Sequence, residues 1–158
     1  MEITIFTDGS ALGNPGPGGY GIVLKAGRHR KELSGGFRKT TNNRMELLAV
    51  ILALEALKNP ESRAVIYSDS SYVVNAVEKG WVFNWAKKGF KGKKNPDLWR
   101  RFLEIYPKHK PELKWVKGHA GIPENERCDR LAVEAAQQPD LPPDEAYEIL
   151  QNNKKGLF

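Results

Sequence analysis

Cysteine is nearly absent, since Cys128 is the only one in 158 residues. An intrachain disulfide is excluded, and no cysteine-based metal site is available, so nothing marks an oxidising compartment. Long apolar runs are missing as well. The longest, Leu47 to Leu54, is far below the ~20 residues that cross a bilayer. The first residues, Met1-Glu2-Ile3-Thr4-Ile5-Phe6, have no basic stretch leading into an apolar one, so no export signal is expected. Together these absences predict a cytoplasmic protein with no membrane association. Acids are also in deficit. Against 19 Asp+Glu stand 25 Lys+Arg, a net charge of +6 and a pI near 9.4. Such an excess favours a polyanionic partner, nucleic acid being the commonest, although a generically basic protein has the same balance.

What is present reads as one α/β domain. Glu2–Thr7 is short, β-branched and aromatic and stops at Asp8-Gly9, as a strand does. After the Gly/Pro cluster 13–19, residues Tyr20–Lys25 and Arg30–Phe37 read as two more strands joined at Ala26-Gly27. From Asn43 the period changes: Leu47, Leu48, Ile51, Leu54 and Leu57 have helical spacing up to Asn59-Pro60. Ala64–Tyr67 is a fourth strand, Ser71–Val77 a short helix, and 81–99 a helical stretch with a basic, glycine-containing middle. A helix around Leu98–Ile105 is expected to end at Pro107, Leu113–Val116 to form a fifth strand, and Glu124–Gln137 a last strong helix. From Pro139 the chain is Pro-rich and polar, with one helical turn expected near Ala146–Leu150. The order implies a mixed sheet with helices on its faces. We divide the chain into one folded domain, 1–138, and a polar, Pro-rich, partly ordered C-terminal tail, 139–158.

Two strand ends match. Ile5-Phe6-Thr7-Asp8-Gly9-Ser10 and Ile66-Tyr67-Ser68-Asp69-Ser70-Ser71 both run apolar, aromatic, hydroxyl, Asp, small, Ser. If their strands are parallel neighbours, Asp8 and Asp69 stand about 4.8 Å apart. Carboxylates at that spacing repel unless a cation lies between them, and an all-oxygen set suits Mg²⁺. Either Asp alone equally fits a turn or a helix cap. Glu46, near the start of the long helix, also fits a capping box closed on Asn43. Asp129, beside Cys128, also fits a solvated carboxylate paired with Arg127 or Arg130.

Taken together, these segments resemble the bacterial type 1 ribonuclease H family. The resemblance rests on Thr7-Asp8-Gly9-Ser10, the glycine-rich stretch from Gly13 to Gly21, Thr40-Thr41-Asn42-Asn43-Arg44-Met45-Glu46-Leu47, Ser68-Asp69-Ser70, and Trp115-Val116-Lys117-Gly118-His119-Ala120-Gly121 followed by residues 123–129. It covers the chain from Glu2 to about Gln137. It implies a ribonuclease H-like fold, a five-stranded mixed sheet of order 3-2-1-4-5 with helices on both faces. It implies that Asp8, Glu46, Asp69 and Asp129 are metal-coordinating carboxylates, and the capping-box reading of Glu46 then loses. The implied activity is endonucleolytic hydrolysis of the RNA strand of RNA–DNA hybrids by a monomer, leaving 5′-phosphate and 3′-hydroxyl ends. Two Mg²⁺ ions ~3.5–4 Å apart are implied, with Mn²⁺ as a substitute.

His119, in a glycine-flanked loop, is expected to assist in proton transfer or product release. By the same resemblance Asn14 and the glycine-rich loop lie along the RNA strand, and Asn14, Lys39 and Thr41 form a pocket for a phosphate of the DNA strand. Asn43 and Ser71 belong to the expected substrate contacts. Lys39 often corresponds to Arg in the family, so bidentate phosphate geometry is lost and a point charge remains; Ser71 replaces a common Gln, which weakens one expected contact. Residues 81–94 interleave aromatics and lysines like a shortened form of the family's basic protrusion, with Trp81 against DNA sugars and Lys87, Lys88 and Lys91 along phosphates. Trp85 and Trp99 read as ordinary aromatic core. Two other readings remain: a nuclease or integrase of the same architecture, and a hybrid-binding module without catalysis.

Overall fold

The central strand of the sheet is the first in the chain, and the fold is built around it. The structure is a computed structural model that describes residues 2–155, with side chains through 153. Strands β1 (Glu2–Ala11), β2 (Gly16–Ala26), β3 (His29–Thr40), β4 (Arg63–Ser68) and β5 (Glu112–Trp115) form one sheet of order β3-β2-β1-β4-β5. The β1–β2–β3 meander is antiparallel, whereas β4 and β5 join in parallel. Helix α1 (Asn42–Glu55) supplies the crossover from β3 to β4.

Helix α1 packs against one face of the sheet and is buried almost all round, from Met45 to Ile51 and again at Ala53 and Leu54. The leucine stripe read from the sequence is thus only part of its buried surface. Outside it lies α4 (Pro96–His109), whose Trp99 and Phe102 are fully buried. Tyr72 and Trp85 meet the Trp99 ring edge-on at 5.8 and 5.9 Å, anchoring α2 (Ser71–Glu78) and α3 (Trp81–Lys87) to the same core. Trp85 and Trp99 are therefore core residues, as expected.

Helix α5 (Pro123–Ala136) covers the opposite face. Two glycines decide how closely the helices approach. A Cβ at Gly21 would overlap the carbonyl of Cys128, so α5 seats directly on β2. A Cβ at Gly9 would overlap the backbone of Met45 and Glu46, so the start of α1 presses on the end of β1. Part of the glycine-rich pattern therefore serves helix–sheet packing.

Several segments depart from the sequence expectation. β1 does not stop at Asp8-Gly9 but runs on to Ala11, and β2 begins at Gly16 inside the expected loop 13–19, because Ser10 and Ala11 pair with Gly19 and Gly18. The helix does not end at Pro107; Pro107 lies inside α4, which runs two residues further to His109 and is capped by Lys110 in left-handed conformation. Proline has no N–H to bond the Leu103 carbonyl four residues back, so the last turn of α4 continues without that bond. β5 begins one residue earlier than expected, although the Val116 N–H still donates to the Ser68 carbonyl at 2.9 Å. Beyond Pro139, α6 runs from Glu145 to Lys155 rather than for one turn. Residues 156–158 of the expected tail lie outside the described residues.

The segment before α6 docks through one buried cation. Arg44, 2% exposed, is engaged bidentately by Asp97 (2.7 and 2.9 Å) and by Asp144 (2.8 and 3.0 Å). Thr40 donates to Asp144 at 2.7 Å, and Arg38 pairs with Glu148 at the surface. Among the described residues no helix is long and apolar enough to cross a membrane.

Truncating Arg44 would leave two acids without their cation. Arg44→Ala is expected to cost ~3–5 kcal/mol in urea unfolding at neutral pH. Burial raises the Asp97 pKa, but hydrogen bonds and charge from Arg44 outweigh it and hold it below the usual range. That contribution is present above the ordinary Asp pKa and is lost as pH falls, so the mutant's deficit is expected to shrink on acidification.

Candidate active site

β1 and β4 pair in parallel up to Thr7↔Ser68, so the next residues, Asp8 and Asp69, stand side by side at the carboxyl end of the sheet. The close approach at Gly9 adds Glu46 from α1. One carboxylate oxygen from each of Asp8, Glu46 and Asp69 lies within 4.8 Å of the others. Asp8 and Glu46 are buried and Asp69 half-buried. Asp129, on α5, lines the same open cavity of about 420 Å³, outside the three-acid cluster.

Local hydrogen bonds hold these acids in place. The Gly9 N–H donates to Asp8 Oδ1 at 2.8 Å and also to Glu46 Oε1. The N-cap of α1 is Thr41, whose hydroxyl accepts from Arg44 N at 3.2 Å, so Glu46 does not close a capping box on Asn43. Asp69 is fixed from behind: Trp115 Nε1 donates to its backbone carbonyl at 3.1 Å. Gly118 lies against its carboxylate, where a Cβ would come 2.8 Å from Asp69 Oδ2 and push that side chain aside.

Electrostatically the cluster lacks its counter-charge. Burial raises the Asp8 pKa, a hydrogen bond to Glu46 lowers it, and repulsion from Asp69 and then Asp129 raises it again; the result is about 7. Burial and the neighbouring acids push Glu46 well above the usual carboxylate range. The charged groups that act most strongly on this pair are all acids. A buried, all-oxygen, mutually repelling donor set fits a divalent cation.

Of the remaining predicted residues, five line one or both of two surfaces, and Lys39, Trp81, Lys87, Lys88 and Lys91 line neither. His119, exposed and left-handed at φ 56, stands on the cavity rim with Asn43 and Ser71. A second groove, about 500 Å³, is lined by Asn14, Thr41 and Asn43 on one side and by Lys93, Lys94 and Asn95 on another. Asn14 Oδ1 accepts from the Asn42 N–H at 3.1 Å, which leaves its amide free to donate. Lys39 does not line this groove; its charge acts on Glu148. Lys87, Lys88 and Lys91 are exposed. Trp81 is 43% exposed with the Lys79 ammonium 5.3 Å from its ring centre.

Sequence reasoning missed three residues at these sites. Trp115 backs Asp69, and its signal was its position opposite Ser68 at the end of β5. Tyr72 lines the acidic cavity, and its hydroxyl accepts from Trp99 Nε1 (2.8 Å) and Asn95 Nδ2 (3.2 Å). Asn95 heads α4 in left-handed conformation, a feature the dipeptide Asn95-Pro96 hints at.

The family profile described as RNase H matches residues 1–137. Ribonuclease H of Desulforamulus reducens is 59% identical over 148 residues, covering 90% of this chain and 92% of that protein. The crystal structure of LC9-RNase H1, a type 1 RNase H, superposes with a TM-score of 0.77 at 36% identity, covering 85% of this chain and 72% of that one. LC11-RNase H1 in complex with an RNA/DNA hybrid superposes at 0.64 with 27% identity, covering 85% and 96%. With a profile match over most of its length and relatives at this identity, the chain belongs to the RNase H family.

Proposed function

We propose that this protein is an endonuclease that hydrolyses the RNA strand of RNA–DNA hybrids, leaving 5′-phosphate and 3′-hydroxyl ends. The observation that carries this is the convergence of Asp8, Glu46 and Asp69 at the carboxyl end of the sheet, in a family whose relatives bear the name Ribonuclease H. Asp8, Glu46, Asp69 and Asp129 hold Mg²⁺, or Mn²⁺ in its place. Two such ions, bound with substrate, supply an activated water and charge relief at the scissile phosphate. Asp8 and Glu46 are fixed by the Gly9 amide, so little reorganisation is needed when substrate arrives. His119, on its exposed loop, moves a proton or eases product departure.

Hybrid is selected by shape and sugar chemistry. The 2′-hydroxyl separates RNA from DNA. Asn14, Thr41 and Asn43 contact the backbone, with Ser71 at the cavity rim and Lys39 acting only as a nearby charge. Lys87, Lys88 and Lys91 follow phosphates, and Trp81 packs against sugars. Residues 1–138 form the catalytic unit and 139–158 an appended segment; the profile match ending at 137 supports this boundary. We further propose that the enzyme acts as a cytoplasmic monomer.

Three outcomes are expected. Asp8→Asn retains hybrid binding within about twofold but loses Mg²⁺-dependent cleavage by on the order of a thousandfold or more, read by single-turnover kinetics beside a binding titration. In metal-free buffer the melting temperature falls as pH rises from about 4 to 7, because deprotonation loads a second charge onto buried acids. Saturating Mg²⁺ reverses the fall, and Asp8→Asn with Asp69→Asn abolishes the metal effect. Neutralising Lys87, Lys88 and Lys91 weakens binding and reduces the slope of log K against log salt by about 0.7–0.9 for each phosphate left without its lysine.

A further inference from the structure

The second groove has a third wall that the sequence did not suggest. Tyr147, Leu150 and Gln151 of α6 line it together with Asn14, Thr41, Lys93, Lys94 and Asn95. Arg44 also lines this groove but has nothing to offer a ligand. A guanidinium carries five N–H donors, and all are committed: two to Asp97, two to Asp144 and one to Asn95 Oδ1 at 3.3 Å. The Asn95 amide in turn donates to Tyr72 at 3.2 Å. The α6 segment, Arg44, the head of α4 and a wall of the acidic cavity thus form one continuous chain of hydrogen bonds.

The Asn95 side chain is held at two points, its carbonyl oxygen by Arg44 and its amide by Tyr72. It caps α4 in left-handed conformation without a side-chain capping bond, and it ends the basic loop 88–95, whose lysines are exposed while Phe90 is buried. Its bond to Arg44 is the longest of the five. Replacing the Asp144 carboxylate by an amide turns one acceptor into a donor facing the guanidinium. Arg44 must then tilt, and the Asn95 bond is the first to open.

We propose that the C-terminal segment sets affinity for the hybrid: Asp144 locks Arg44, and Arg44 positions Asn95 and the adjoining lysines in the substrate groove. Arg44 and Asp144 are positioning residues and take no part in bond cleavage. This rests on the hybrid-cleaving function proposed above and gives a role to the segment that follows the family match.

The test is steady-state cleavage of an RNA–DNA hybrid by the full chain, its Asp144→Asn and Asn95→Ala variants and the double variant. Asp144→Asn is expected to raise KM about three- to tenfold with kcat within about twofold, a split that loss of fold alone would not give. In the Asn95→Ala background the same change is expected to leave KM within about twofold, because the two act through one route. A lowered KM for Asp144→Asn, fading at high salt, would mean that the carboxylate merely repels the anion or that freed Arg44 binds it, and would overturn the proposal. Additive effects in the double variant would overturn the route through Asn95. If Asp144→Asn does not fold, Asp97→Asn carries the same expectation, since that carboxylate is 32% exposed and grips Arg44 from the other side. Absence of hybrid cleavage by the unmodified chain would instead defeat the underlying function, and is told apart because every variant then fails alike.

Discussion

Close helix-to-sheet contact at β1 is the constraint on which the site depends. Gly9 and Gly21 leave no side chain between the central strands and the backbones of α1 and α5. That proximity puts Glu46 against Asp8 and carries Asp129 to the same cavity, while the parallel register of β1 with β4 adds Asp69. A side chain at either glycine would push a helix outward and separate acids that have no covalent reason to meet. The cost of the arrangement is electrostatic, because buried carboxylates without a cation repel one another, as the raised Asp8 and Glu46 pKa values register. Local strain of this kind is common at functional sites, where a bound cation or substrate relieves it.

Around that centre the molecule separates chemistry from grip. The acidic cavity is polar and open, walled by residues near the carboxyl ends of β1 and β4 and the start of α1. The second groove lies beside it, and Asn43 lines both. Its floor is a neutralised guanidinium, and its donors come from the glycine-rich loop, the N-cap of α1 and the loop before α4. A hydrogen bond from Asn95, on the groove, to Tyr72, on the cavity, joins the two surfaces.

Much of this was legible in the sequence, for identifiable reasons. The repeated apolar–aromatic–hydroxyl–Asp pattern marked where the β1–β4 pairing ends, at Thr7 and Ser68, which sets Asp8 and Asp69 side by side although β1 itself runs on to Ala11. Glu46 and Asp129 were not legible from local pattern alone, since a capping box and a surface ion pair explained them equally well. Only the family resemblance singled them out, and Glu46 now has the Gly9 amide as its partner. The extent of α6 was missed because a Pro-rich approach and polar composition hide a helix whose docking depends on Asp144 meeting an arginine 100 residues away. Trp115 and Asn95 were missed for a similar reason: each acts through a backbone or amide contact that exists only once distant segments have packed.

The central claim, that these acids are held together against their own repulsion until a divalent cation joins them, is tested most directly by following the carboxyl carbon resonance of Asp8 against pH. Without metal, Asp8 is expected to titrate near 7; with saturating Mg²⁺ its midpoint should move far below the ordinary aspartate range. A midpoint near that of an exposed aspartate, unchanged by Mg²⁺, would contradict the account.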